Sequence, residues 1–378
     1  MKAIKLVKKL AKNILPYQAY YFIKSNPIRR HQKTKEWDKQ WGEYYKNAIN
    51  AGTRIFLLNT PTHTNIGDLA IAEAEIAFLK RMAPGEPIIE ISALSKNIYG
   101  IDALKKYISK DALLLFHGGG YIHDCWLGGE EAFRRAVAMF PDNKIVLLPQ
   151  SIFYSGSPKS KEVLNSSRRV YSRHKDLHLF ARDKISYAYM KQFHPDTNVY
   201  LCPDIVLSME YIVTDSVRSG VLLCMRSDFE KLFTSADISY IETICTKYGN
   251  VRYTDTIAAD HEGEVEPQSR DPNIKAKLDQ FSRASVVVTD RLHGMVFAAI
   301  TGTPCVAVSN NNHKIKGVAD WFKDLGYIKY IDDISEFNKA IETVTNHGPG
   351  KYDTGVYLPH FCDLANVIVK TVEDYSRG

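Results

Sequence analysis

The sequence predicts an α/β protein of two doubly wound domains facing each other across a cleft, and three observations carry that prediction. Short apolar runs alternate with helical periods from Arg54 onward. The alternation restarts after Pro203-Asp204. A length of 378 residues with 45% hydrophobic content suits two domains, each large enough for its own core.

In the first series, residues 55–58, 88–91, 112–116, 145–148 and 177–180 read as buried strands, with helices near 68–82, 102–109, 130–140, 159–173 and 183–193. In the second, strands are expected at 220–225, 251–254, 285–289, 305–308 and 327–331, with helices near 236–247, 274–282, 293–301 and 318–325. The polar stretch Thr214–Ser219 separates the series, which divides the chain into a leader (1–51), a first domain (52–213), a second domain (214–356) and a closing segment (357–378). A helix at about 358–375 is expected to pack back on the first domain.

The leader differs in character from the rest. Ile4, Val7, Leu10, Ala11, Ile14 and Leu15 share one helical face of residues 1–21, and Lys2, Lys5, Lys8, Lys9 and Lys12 lie mostly on the other. Residues 1–50 hold 12 Lys/Arg against 3 Asp/Glu, a net of +9. The whole chain has 49 against 43, so the remainder has 37 against 40 and is slightly acidic. That distribution argues against a nucleic-acid-binding body. It leaves two readings of the leader: a packed surface helix, or a peripheral contact with anionic lipid. Six scattered cysteines with no Cys-x-x-Cys pair and no zinc spacing fit a reducing cytoplasm rather than a metal centre. No apolar run approaches the roughly 18–20 residues that span a bilayer.

In open α/β sheets ligands gather beyond the carboxyl ends of strands. After the first strand stands Asn65-Ile66-Gly67-Asp68, where Asn65 or Asp68 either caps the next helix or faces a ligand together with the free N–H groups of the helix start. After the third stands His117-Gly118-Gly119-Gly120, read as a loop whose glycines let backbone approach an anion. It matches neither dinucleotide nor P-loop spacing. After the fourth come Gln150 and Ser151, expected to bind an acceptor or to fix the loop; after the fifth comes Arg182, expected to project into the cleft beside a capping Asp183. The strongest segment is Thr289-Asp290-Arg291-Leu292-His293-Gly294. It offers a guanidinium fork for phosphate or carboxylate and an imidazole able to exchange a proton near neutral pH. Lys314 follows the strand at 305–308 and adds positive charge to the same rim.

In this order, Asn65-Ile66-Gly67-Asp68, Gly118-Gly119-Gly120, Pro149-Gln150-Ser151, Ala181-Arg182-Asp183, Pro203-Asp204 and Thr289-x-Arg291-x-His293-Gly294 resemble the polysaccharide pyruvyl transferase family over about residues 55–330. The resemblance implies two Rossmann-like domains arranged as in glycosyltransferase-B enzymes. It implies transfer of the enolpyruvyl carbons of phosphoenolpyruvate to two hydroxyls of one sugar, giving a pyruvate ketal and phosphate, in exopolysaccharide or capsule synthesis. Under it, His293 is the proton donor and Arg291 acts with it. Arg182, Arg291, Lys314 and the three glycines hold the donor's phosphate and carboxylate. Asp68, Asn65, Gln150, Ser151, Asp204 and Asp290 orient the acceptor or brace the site. It calls for no metal or cofactor, and for partners limited to the donor and a glycan acceptor, lipid-linked or free. One departure stands at Ser309-Asn310, where relatives carry Asp-Asn.

Two rivals remain at this point. A nucleotide-sugar glycosyltransferase of similar architecture is disfavoured because no Asp-x-Asp triplet and no pair of Glu residues eight apart occurs. A non-catalytic glycan- or membrane-surface scaffold is disfavoured by the intact Arg291/His293 pair.

Overall fold

A computed structural model describes residues 42–49, 52–93, 101, 104–123, 127–211, 217–226, 232–257, 265–310 and 313–377. The expected leader helix over 1–21 lies outside the described residues. The first sheet comprises β1 (Ile55–Thr60), β2 (Ile88–Ser92), β3 (Leu113–Phe116), β4 (Gly119–His123), β5 (Lys144–Phe153), β6 (Leu177–Ala181) and β7 (Asn198–Leu201). Its order is β2-β1-β3-β5-β6-β7, with β4 beside β5, and every pair is parallel. The intervening helices are α1 (Ile66–Met82), α2 (Leu127–Met139), α3 (Pro158–Tyr171) and α4 (Lys184–Phe193).

The second sheet, β8 (Val221–Cys224), β9 (Val251–Thr254), β10 (Val286–Thr289), β11 (Cys305–Val308) and β12 (Ile328–Ile331), is also wholly parallel, in the order β12-β11-β10-β8-β9. Its helices are α5 (Ser235–Cys245), α6 (Arg270–Ser282), α7 (Leu292–Ile300), α8 (Lys314–Ala319) and α9 (Phe337–His347). Strands β8, β10 and β11 are buried along their whole length, as expected of runs such as VVVT and CVAV covered by helices on both faces.

Several elements depart from the sequence expectation, among them α9, which was not expected, and α8, which begins at Lys314 rather than near 318. The glycine segment is not a loop: β3 breaks at His117-Gly118, and Gly119 and Gly120 then open β4, which continues the row of β3 along the far half of β5. Correspondingly, β5 runs for 10 residues and takes in Pro149, Gln150 and Ser151, which were expected beyond its end. Pro149 is tolerated inside a central strand because the neighbouring ladder is interrupted there. The register with β6 shifts between Leu147 and Gln150, and a Cβ on Gly118 would stand 2.5 Å from the Pro149 carbonyl oxygen. The short strand β7, NVYL, was also not expected; it is four residues at the edge of the sheet and its first residue is exposed.

The helices between the two sheets are largely buried. In α1, Ile66, Leu69, Ala70, Ile71, Ala72, Ala74, Phe78 and Leu79 are buried, and every residue of α7 is buried. Both belong to one continuous core that takes in Leu57, Leu115 and Phe180 from the first sheet and Leu222, Val287 and Ala307 from the second. A fully buried Arg270 on α6 crosses between the sheets, with Nη1 2.6 Å from Glu90 and Nη2 donating to Thr60 Oγ1 and the Pro61 carbonyl. The last helix, α10 (Cys362–Arg377), returns to the first sheet. There the Tyr375 hydroxyl accepts from the Leu113 N–H at 3.1 Å and the Arg54 guanidinium lies over the Tyr375 ring.

Candidate functional site

The site forms where two helix N-termini meet. The side chain of Asn65 caps α1 by accepting from the Gly67 N–H at 3.1 Å. His293, in the first turn of α7, lays its ring directly on Gly67, where a Cβ would stand 2.3 Å from Nδ1. Glycine at 67 is therefore a packing requirement, and the positive ends of two helices converge on one place. Gly294 fits the same way on its other side, since a Cβ there would stand 2.2 Å from Thr289 Oγ1. The Thr289 hydroxyl donates to the Cys224 carbonyl and accepts from the Arg291 N–H, which fixes the turn from β10 into α7.

Asp204, almost fully buried after β7, joins the two domains. Its side chain accepts from the Val206 N–H and stands 2.7 Å from Arg182 Nη1 and 3.5 Å from His293 Nε2. Burial alone would raise its pKa, but Arg182 and His293 outweigh that and hold the carboxyl well below the usual range. Arg182 is 2% exposed and does not project freely into the cleft as expected. Its Nε donates to Ser151 Oγ at 2.9 Å, Ser151 donates to Asp183 Oδ2 at 2.7 Å, and its carbonyl accepts from Trp321 Nε1. Asp183 caps α4 by accepting from the Ser186 N–H. The remaining nitrogen of Arg182, Nη2, lies along the backbone of Gly120, 2.9 Å from where a Cβ would be.

Lys314 comes to the same peptide from the other domain, donating from Nζ to the Gly120 carbonyl at 2.8 Å. Two cations thus converge on one glycine. Asp68 lies one helical position beyond Gly67 and accepts from Asn65 Nδ2 at 2.9 Å, with His63 3.5 Å away. Burial opposes its ionisation, yet His63, His293, His117 and Arg182 together hold it below the ordinary carboxylate range. Gln150 is fully buried, and neither its amide nitrogen nor its oxygen has a partner among the described residues. An unpaired buried amide costs about 1–3 kcal/mol, which points to a ligand or water at that position.

Not every expected residue joins this cluster by direct contact. Arg291 stands just before α7 and pairs through Nη2 with Asp255 Oδ2 at 2.8 Å, a partner the sequence did not point to. Asp290 accepts from the Arg226 N–H at 2.7 Å, and burial pushes its carboxyl up to about 6. Its role is to hold the loop after β8. Sequence reasoning also missed Glu75, fully buried on α1, whose oxygens take the Gly118 N–H at 2.7 Å and stand 2.8 Å from His117 Nδ1. One signal was available: Asp68, Ile71 and Glu75 fall on one helical face, and a carboxylate on an otherwise apolar stripe is a buried one.

The family model described as Polysaccharide pyruvyl transferase matches residues 65–312, a span holding each of the expected site residues except Lys314. General stress protein 30 of Bacillus subtilis is 32% identical over 308 residues, 81% of this chain and 89% of its own. Pyruvyl transferase 1 of Schizosaccharomyces pombe is 27% identical over 285 residues, 71% of this chain and 69% of its own. Among solved structures, an uncharacterized protein from Klebsiella pneumoniae superposes with a TM-score of 0.51 at 18% identity, covering 79% of this chain and 98% of that one. That likeness is one of fold.

Proposed function

This chain belongs to the polysaccharide pyruvyl transferase family, and from that premise we propose that it moves the enolpyruvyl group of phosphoenolpyruvate onto two hydroxyls of one glycan sugar, forming a cyclic ketal and releasing phosphate. The observation that carries the reading is the junction of Arg182, Asp204, His293 and Lys314 at two helix N-termini. Phosphoenolpyruvate brings a phosphate and a carboxylate, and Arg182 Nη2, Lys314 Nζ and the two helix starts supply charge of the opposite sign.

In this scheme His293 protonates the methylene carbon, C3, and leaves a cationic C2 for a sugar hydroxyl to attack. Its contact with Asp204 is 3.5 Å, at the long limit of a hydrogen bond, so the Nε2 proton is not committed to that carboxylate. Departure of phosphate, with the electron pair of its C–O bond, lets the second hydroxyl close the ring. The same cations stabilise the charge that develops on the leaving group. Arg291, oriented by Asp255, serves the donor carboxylate from the α7 side. The basic leader 1–21 supports placement of the enzyme at an anionic membrane face, where lipid-linked glycan is made; deleting residues 1–50 should then reduce binding to anionic liposomes.

The test is incubation with phosphoenolpyruvate or nucleotide-sugars in the presence of glycan acceptors. Phosphate release that depends on both phosphoenolpyruvate and acceptor supports the reading. Nucleotide release without any consumption of phosphoenolpyruvate overturns it.

A further inference from the structure

We infer that the first domain builds a sugar-hydroxyl subsite at the carboxyl ends of β1 and β3, in which the Glu75–His117 pair takes the proton from the attacking hydroxyl of a pyranose acceptor. The inference rests on the pyruvyl-transfer reading and assigns to it a base and a place for the acceptor.

The pair is costly and nothing in the packing requires it. Glu75 sits at 0% exposure among the buried apolar residues of α1, and desolvating a carboxylate costs several kcal/mol before its hydrogen bonds return anything. Those bonds are specific. One Glu75 oxygen takes the Gly118 N–H, and the other faces His117 Nδ1 at 2.8 Å. A carboxylate on Nδ1 fixes the tautomer and leaves the Nε2 lone pair as a proton acceptor. His117 is 3% exposed, and its ring is held through Nδ1 by Glu75.

The surroundings suit a sugar. The Tyr121 ring lies parallel to the His117 ring at 6.3 Å, packs on Gly129 and is partly exposed at the rim. Its hydroxyl donates to the His117 carbonyl and is hydrogen-bonded by the Asn59 side chain. Asn59 is the one described residue other than glycine at positive φ, +63°, and it falls where the β1–β2 register shifts. Asn tolerates this left-handed backbone better than other side chains, and the conformation is held where an orientation is needed. The subsite is continuous with the donor site. Asp68 is two turns before Glu75 on the same helix face, 3.8 Å from the Cβ position of Gly119, and next to the glycine on which His293 rests.

The steps balance. His293 gives a proton to C3 and the first hydroxyl oxygen bonds to C2, while its proton passes to His117 Nε2. The C–O bond to phosphate then breaks with its electrons on phosphate, and the second hydroxyl oxygen bonds to C2 as its proton leaves with phosphate. The proton gained at His117 equals the one spent at His293, so the pair resets through solvent.

The experiment uses the full chain, phosphoenolpyruvate and p-nitrophenyl glycosides of galactose, glucose and N-acetylglucosamine, reading phosphate release and the thermal shift produced by phosphoenolpyruvate alone. For His117→Ala the expected result is a fall in kcat of about 10²–10⁴ with the phosphoenolpyruvate midpoint unchanged and partial recovery on adding imidazole. Glu75→Gln keeps an acceptor for the Gly118 N–H and should lower kcat roughly 10–100-fold with the same donor midpoint. Wild-type turnover matched by His117→Ala, or a loss that imidazole does not restore, overturns this inference and leaves pyruvyl transfer standing. A wild-type protein that releases no phosphate with any of the glycosides overturns the pyruvyl-transfer reading itself, and the base assignment with it.

Discussion

The two sheets differ in regularity more than in size. The second sheet is made of four-residue strands in unbroken register, and it ends its central strand cleanly at Thr289 before α7. The first sheet is irregular at its carboxyl edge. β1 shifts register around a left-handed Asn59, β3 breaks at His117-Gly118, and β5 shifts past Pro149. All three irregularities lie where ligands bind a parallel sheet. The lesson is a division of labour: the regular sheet presents His293, Arg291 and Lys314 from helix starts, and the irregular one shapes the pocket they face.

The largest effect should come from cutting the link between the halves. Asp204→Ala strands Arg182 in a buried position, and loss of one partner of such a pair costs about 3–5 kcal/mol. Thermal denaturation should show the drop together with loss of turnover; Asp204→Asn should recover more stability than activity.

Next is Arg270→Ala, which removes the buried cation between the sheets without touching the candidate site. A loss of about 3 kcal/mol is expected. If Arg270 couples the halves, calorimetry should resolve two transitions where the wild type gives one. A single sharp transition in the variant would show that the shared apolar core suffices.

Asp290 tests the regular side alone. Its carboxyl is raised to about 6 in the folded protein, against 3.8 unfolded. The folded state therefore binds the extra proton, and stability falls as pH rises through that window. At about 1.4 kcal/mol per unit, the full effect is roughly 2–3 kcal/mol above pH 6. Asp290→Asn keeps an acceptor for the Arg226 N–H and should be more stable than wild type at pH 8 but equal to it below pH 4. Equal denaturation midpoints at pH 8 would contradict the burial account.

The smallest effect is expected from Lys314→Gln. It removes one cation from Gly120 while Arg182 stays in place, so the KM for phosphoenolpyruvate should rise about tenfold, or 1.4 kcal/mol, with little change in stability.

The contrast between the sheets also explains what the sequence could tell. Runs such as VLLC, VVVT and CVAV declare buried parallel strands, and the caps at Asn65 and Asp183 are where side-chain chemistry puts them. His293 and Arg182 were legible because each follows a strand end at a helix start. The continuation of β3 into β4 was not, because a glycine triplet reads as a loop until β5 offers it a partner. The Glu75–His117, Arg291–Asp255 and Arg270–Glu90 pairs join residues 42, 36 and 180 positions apart, and local pattern contains nothing that selects such partners.

The central claim is that His293, held against Gly67 and facing Asp204, protonates an enolpyruvyl donor. It is tested most directly by following phosphoenolpyruvate and a glycoside acceptor in deuterated water, by phosphate release and by proton NMR of the product. The account predicts that wild-type protein releases one phosphate per ketal and places deuterium in the new methyl group, and that His293→Ala, still folded, does neither. Ketal formation at an undiminished rate by His293→Ala would contradict it.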